Sequence, residues 1–164
     1  MMRLAIVPFD VPETFAPPGN ESVHYGRELA RNFQQELHKV GGVPIVELLN
    51  RDRWPGKRAD FFSGNYQAVS IARAAGYDFV LVGYLDEIKD ANTLSVYVKL
   101  IDTQNQITIW HGRTDVVSHA RDIRKGMSRV GLAKERPELF NFPERTELLA
   151  ECTVHAIHND EPVP

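Results

Sequence analysis

The residues whose types best suit chemistry lie near the end of the chain, where Glu151, Cys152, His155 and His158 follow one another closely. On a helix, side chains three or four residues apart share a face, so parts of this group would lie together. A metal site would need a third or fourth ligand from elsewhere, and the chain contains no HExxH signature that supplies one. A thiol nucleophile would need to be exposed and activated, whereas Cys152 falls on the predicted apolar side of its helix. We therefore predict no metal site and no thiol chemistry, but a buried cysteine beside surface histidines.

A second place where chemistry could occur is Asp10, which ends the first predicted strand. Open α/β sheets often carry functional carboxylates at this position, although a lone aspartate there more commonly caps a loop. Other signatures of enzymes are missing from the sequence. Gly41-Gly42 follows a predicted helix instead of preceding one, so it does not form a phosphate-binding loop, and no Gly-x-Ser-x-Gly nucleophile elbow occurs. The sequence predicts no catalytic residue and no cofactor.

Large aromatic side chains lie in or beside the basic segment 50–62, which we expect to be an exposed loop. Exposed aromatic residues concentrate binding energy at protein interfaces, and arginine is enriched there too. The alternative is that the tryptophan of this loop folds back over an apolar patch. The sequence predicts an interface whose candidate residues are Arg53, Trp54, Phe61 and Phe62.

The first part of the chain alternates strands and helices. Apolar runs predict strands at residues 3–9, 43–49 and 79–83, the second at a sheet edge because of Pro44 and the third at the sheet centre. A four-residue apolar repeat from Tyr25 to Leu37 predicts a first helix that ends at Gly41-Gly42, and a second helix is predicted at 65–75.

Strict alternation then predicts two antiparallel strands, at 93–101 and 107–117, joined by a polar turn. Trp110 lies in the second of them and is expected to pack in the core or on the sheet. The resulting order is β-α-β-α-β-β-β, an α/β (α+β) fold with a mixed sheet of about five strands. The face that carries Leu94, Val96 and Val98 is expected to be covered by the first two helices.

The end of the chain adds a weak helical pattern at 118–130 and a last helix from Pro143 to His158. We expect the last helix to pack on the domain through an apolar side, with the alternative of a free arm reserved for another subunit. That side comprises Leu148, Leu149, Cys152 and Ala156. The whole chain is interpreted as a single domain 1–164, with an α/β core at 3–117, a connecting segment at 118–142 and the C-terminal helix at 143–159.

Composition narrows the possible partners and compartments. The chain has a net charge of −3, and acidic residues interleave its basic clusters, which argues against nucleic acid as the main partner. Its one cysteine excludes an intrachain disulfide, and no apolar stretch reaches the roughly 18 residues of a membrane span. Met1-Met2-Arg3 leads directly into a strand, so the start is either natural or trimmed of an export signal.

Several segments together resemble a known group of bacterial envelope proteins. LAIVPF at 4–9 resembles the first strand of CsgG-like curli-secretion lipoproteins, of the TolB amino-terminal domain and of FlgO-like proteins. AVSIARAAGYDFVLVG at 68–83 and VYVKLIDTQNQ at 96–106 resemble the group's second-helix and hairpin motifs. The resemblance covers residues 3–117. The chain departs from the group at Asn105, where a turn glycine is usual, and it shows no lipobox cysteine and no long amphipathic strands that would build a pore.

The resemblance implies a periplasmic protein without catalytic residues, in relatives often tethered to the outer membrane by an N-terminal lipid that this chain does not carry. It implies an assembly or secretion accessory role, exerted through homo-oligomers or protein partners of the envelope. The alternative is a small-ligand-binding or enzymatic domain with its site at the strand ends near Asp10.

Overall fold

A mixed five-stranded sheet in the order β2-β1-β3-β4-β5 is the centre of the structure. The computed structural model describes residues 1–15, 22–49, 58–86, 93–117 and 142–159. The strands are β1 Arg3–Ile6, β2 Ile45–Leu48, β3 Phe79–Leu85, β4 Thr93–Asp102 and β5 Ile107–Val117. The helices in the described ranges are α1 Ser22–Val40, α2 Arg58–Phe62, α3 Tyr66–Ala74 and α4 Phe142–Asn159, with a 3-10 turn at Glu13–Phe15.

The strand pairing confirms the predicted fold class. β1 pairs in parallel with β2 and β3, whereas β3, β4 and β5 form an antiparallel meander. β2 lies at one edge and β3 at the centre, as their sequences predict, and the hairpin continues the same sheet. A β-bulge between Leu100 and Ile101 interrupts the last pairing and makes Ile109 an extra residue on β5.

Helices cover both faces of the sheet. α1 and α4 pack on the face that carries Leu81, Val96 and Val98, where Trp110 is also buried as predicted. α2 and α3 pack on the opposite face, which carries Val80 and Val82. The expectation that the first two helices share one face is therefore wrong. Right-handed β-α-β crossovers with α1 and α3 run to opposite sides of β1, so these two helices lie on opposite faces.

The predicted apolar stripe of α1 is buried, with Leu29 and Phe33 fully enclosed. Gly26 brings this helix unusually close to the segment after β1. A Cβ atom at Gly26 would lie 2.0 Å from the carbonyl oxygen of Phe9, and the Phe9 N–H donates a hydrogen bond of 3.1 Å to the Gly26 carbonyl. Only a glycine permits this approach of helix and backbone.

The C-terminal helix packs on the sheet as expected, and two of the four residues predicted for its apolar side, Leu149 and Ala156, pack against the core. Its buried residues include Leu149, Ala150 and Val154 together with two threonines, whereas Leu148 and Cys152 are exposed. The threonines can be buried because their hydroxyls are bonded: Thr146 accepts from Asn32 Nδ2 at 3.1 Å, and Thr153 donates to the Leu149 carbonyl at 2.7 Å. The predicted apolar side was therefore correct for Leu149 and Ala156 and wrong for Leu148 and Cys152.

None of the helices in the described ranges is long and apolar enough to cross a bilayer. The predicted helix at 118–130 and the connecting segment up to residue 141 lie outside the described residues.

Candidate functional site

The carboxyl ends of β1 and β3 hold the short helix α2 against the sheet. The main-chain N–H of Arg58, the first residue of α2, donates a hydrogen bond of 2.7 Å to Oδ2 of Asp10. The Arg58 guanidinium lies 3.3 Å from Oδ1 of Asp86, which follows β3 and is buried. Asp10 also joins the end of the sheet through an isolated parallel bridge with Tyr84. Asp10 thus caps a helix that the sequence did not reveal.

The two phenylalanines of α2 have opposite environments. Phe61 is buried in the second core cluster, and its ring meets that of Tyr84 edge to face at a centroid distance of 4.9 Å. Phe62 is 70% exposed. The expectation of an exposed loop throughout 50–62 is therefore wrong for residues 58–62, and Phe61 is not an exposed aromatic. One turn of helix directs successive side chains about 100° apart, so Phe61 can anchor the turn while Phe62 projects from it.

Aromatic rings and cations continue from α2 onto the open part of this sheet face. Tyr84 and Tyr97 stack with centroids 4.9 Å apart and planes 11° from parallel. Lys99 Nζ donates to the Phe61 carbonyl and lies 4.2 Å from the centroid of the Phe61 ring. Burial lowers the pKa of Lys99 and raises that of Tyr84, which the guanidinium of Arg58 opposes. These contacts fix the position of α2, because cation–π and aromatic pairs stabilise by up to about 1–2 kcal/mol each.

Arg53 and Trp54, the other two interface candidates, lie outside the described residues. The chain that contains them leaves the sheet after Leu49, whose N–H donates to the Ile6 carbonyl at 2.9 Å, and rejoins it at Arg58. Leu49 follows the carboxyl end of β2, and Arg58 is bonded to Asp10, which follows β1.

The histidines near the C-terminus are at the surface as predicted, whereas the cysteine beside them is not buried. Glu151, Cys152, His155 and His158 are all exposed on α4, so the expected burial of the cysteine is wrong. Partial shielding by neighbouring atoms raises the pKa of the Cys152 thiol, and the charge of Glu151 raises it further. In the described part of the chain, no three His, Cys, Asp or Glu side chains are grouped so that they could hold a metal ion.

A cleft of about 410 Å³ lies at the other end of the sheet, among Asp78, Asp102, Asn105 and the first two methionines. The carboxyl ends of the parallel strands, where α/β folds place ligands, carry instead the contacts that Asp10, Arg58 and Asp86 make with one another.

Sequence reasoning missed Arg58, Asp86 and Tyr84, which hold α2 in place. The one usable signal was Asp10, whose position at a strand end indicated a cap, although its partner lies 48 residues further along the chain. No local pattern connects residues so far apart.

The fold and this surface define a mixed α/β domain with helices on both sheet faces and an exposed aromatic turn at the strand ends. No protein-family model matches the sequence, and no curated protein matches it. The structure is similar to the hypothetical protein CT253 from Chlamydia trachomatis, with TM-score 0.56 and 16% identity over 95% of this chain and 97% of that one. It is also similar to the PelC dodecamer from Paraburkholderia phytofirmans, with TM-score 0.54 and 13% identity over 93% of this chain and 84% of that one.

A further similar structure is protein XCC0632 from Xanthomonas campestris, described as family-model DUF330, with TM-score 0.52 and 8% identity over 94% of this chain and 82% of that one. At such low identities the likeness shows a shared fold. The resemblance drawn from the sequence is confirmed to this extent: the chain has the fold of a group of bacterial proteins that includes a dodecamer.

Proposed function

We propose that this chain is a non-enzymatic assembly or secretion accessory protein of the bacterial envelope, and that it acts through contacts with other proteins. The observation that carries the proposal is Phe62, an aromatic side chain 70% exposed on a helical turn that three separate contacts hold in place. An exposed aromatic residue on a rigid support loses little conformational entropy on binding, which is the property of interface hot spots.

Arg53 and Trp54 extend this surface in the proposal, because their segment ends at Arg58, the first residue of α2. Phe61 serves as the buried anchor of the surface and not as a contact residue. We place the protein in the periplasm. An N-terminal lipid, where the natural protein carries one, would tether it to the outer membrane. The sequence resemblance to CsgG-like, TolB-like and FlgO-like proteins supports this location, and the dodecamer formed by PelC supports an oligomeric role.

The test is site-specific photo-crosslinking in the natural host, with p-benzoylphenylalanine placed at position 62. A matched control carries the same group at Ile107, which is also exposed but lies at the opposite end of the sheet. We expect a crosslinked envelope protein, or a second copy of the chain, from position 62 and not from position 107. Mass spectrometry identifies the product.

The purified partner then allows affinity to be measured. Phe62→Ala and Trp54→Ala should each weaken binding by about 30-fold, the effect of removing a hot-spot residue. Ile107→Ala should leave binding unchanged. Identical crosslinks from both positions, or unchanged affinity in both aromatic variants, would contradict the proposed surface.

A further inference from the structure

The outer edge of β5 differs from the other edge of the sheet. β2 is four residues long, and its charged residue Glu47 is held by Arg3 and Tyr77. β5 is 11 residues long, and no strand in the described ranges pairs with its outer side. A long edge strand presents a row of main-chain N–H and C=O groups that another strand can pair with. Three of its apolar side chains are also exposed: Ile107, Ile109 and Val117.

The bulge at Ile109 leaves a regular part of β5 beyond it, which ends at Val117. On the open face of the sheet this part carries Arg113 and Asp115 side by side. Arg113 Nε lies 2.8 Å from Oδ1 of Asp115, and this hydrogen bond holds the pKa of the Asp115 carboxyl below its ordinary value. Both side chains are at least 40% exposed, so the pair contributes little to the stability of a single copy.

We propose that two copies of this chain pair through β5 in antiparallel orientation, with the two-fold axis at Thr114. Antiparallel pairing about this residue places Arg113 opposite Asp115 of the second copy, and Asp115 opposite its Arg113. The residues 111–117 pair with 117–111 of the second copy, all beyond the bulge. Moving the axis by one residue to Arg113 would place two arginines opposite each other, which is unfavourable. The charge pattern of the edge therefore selects one register.

The side chains on the helix-covered face agree with this register. Gly112 lies opposite Val116 of the second copy, so the missing side chain leaves room for the valine. Thr114 lies on the axis, and its hydroxyl is 2.7 Å from that of Thr153 on α4. The pairing consequently brings the two α4 helices together above the axis.

The exposed side of α4 fits such a contact. Thr146 binds Asn32 of α1, and the charges of Glu147 and Glu151 act on Lys39 of α1, so these residues mark the side of α4 that faces α1. At about 100° per residue, Cys152 and Leu148 lie on the other side, above the outer edge of β5. Because α4 packs over both β4 and β5, pairing the two β5 strands would bring the two helices side by side. Leu148, which is 44% exposed, would then be covered.

This inference rests on the proposed function in that it names a second copy as one binding partner, but it uses a different surface from Phe62. Its test uses two charge variants of the full chain, Arg113→Asp and Asp115→Arg, and sedimentation velocity over a range of concentrations. Each variant alone places like charges opposite each other and should weaken self-association by about tenfold or more. An equimolar mixture restores two opposite-charge pairs and should associate as tightly as the wild type.

The mixture distinguishes a loss of pairing from a loss of folding, because two misfolded variants would not associate when they are mixed. The circular dichroism of each variant should also match that of the wild type. Glu28→Arg, which replaces an exposed ion pair on α1 with two like charges, is the matched control and should leave association unchanged. A short bis-maleimide at Cys152 gives a second readout, because the two thiols face each other near the axis. This reagent should crosslink the wild type and the mixture into dimers, and it should not crosslink either variant alone.

A wild type that stays monomeric, or a mixture that associates no better than its components, would overturn the β5 pairing. Unchanged dimers in both variants would overturn it too and would place self-association on another surface. In each of these cases crosslinking at position 62 still decides the proposed function independently.

Discussion

Leu148 and Leu149 are neighbours in the sequence, yet one is 44% exposed and the other is completely buried between α4 and the sheet. We expect Leu149→Ala to lower the free energy of unfolding by about 2–5 kcal/mol, because it leaves a cavity in the core. Leu148→Ala, the matched control, should change it by less than about 0.5 kcal/mol in the monomer. Urea denaturation at low protein concentration measures both. Equal effects of the two substitutions would contradict the observed side of the helix.

The hydrogen bond from Arg58 to Asp10 should determine whether α2 stays folded. Asp10→Ala removes the acceptor for the first N–H of the helix, and we expect a loss of about 0.5–2 kcal/mol, the cost of a lost helix cap. Asp10→Asn keeps an acceptor oxygen and should lose less. Hydrogen exchange at the amides of 58–62 reports the local effect. Full protection of these amides in Asp10→Ala would show that the packing of Phe61 suffices.

The thiol of Cys152 should be accessible in the folded protein. We expect maleimide to label it without denaturant, under conditions in which the protein is monomeric. The pKa of this thiol is raised above its ordinary value of 9.0. The labelling rate of the folded protein should therefore keep rising up to a higher pH than that of the denatured chain, because the thiolate is the form that reacts. Labelling that requires urea would contradict the exposed position of Cys152 and would agree with the burial predicted from the sequence.

Acid should weaken the junction at the β2 edge. The Tyr77 hydroxyl donates to Glu47 over 2.6 Å, and this bond, followed by that from Arg3, lowers the pKa of Glu47 below its ordinary value of 4.5. The unfolded chain therefore binds this proton first as the pH falls, so the stabilisation is present above about pH 4.5 and is lost as the pH drops through the folded pKa.

Tyr77→Phe should accordingly be less stable than the wild type at neutral pH, and the difference should shrink in acid. Tyr66→Phe, at an exposed tyrosine of α3, should match the wild type throughout. Urea unfolding at several pH values measures the difference. A gap between wild type and Tyr77→Phe that stays constant with pH would show that Glu47 does not depend on this bond.

The strands and the larger helices could be predicted from the sequence because their signals are local. Alternation at Leu94, Val96 and Val98 and the stripe of α1 each lie within one element. The short helix α2 could not be predicted, since its stability depends on Asp10 and Tyr84, which come from other parts of the chain. The buried side of α4 was predicted only in part, at Leu149 and Ala156, because Thr146 and Thr153 count as polar until their partners are known. Arg53 and Trp54 remain a prediction.

The mixed pairing of the sheet also has a consequence for the order of folding. β1 can form its parallel ladders only after segments 45–48 and 79–81 have been brought to it, and long stretches of chain separate these segments from β1. The meander β3-β4-β5 joins consecutive segments and loses less chain entropy on closing. We therefore expect the meander to form the folding nucleus, with φ-values near one at Val96 and Val98 and near zero at Leu4. During synthesis the first strand would then stay unpaired until β3, β4 and β5 have been made and have folded. The apolar segment 4–9 would be available to chaperones during that time.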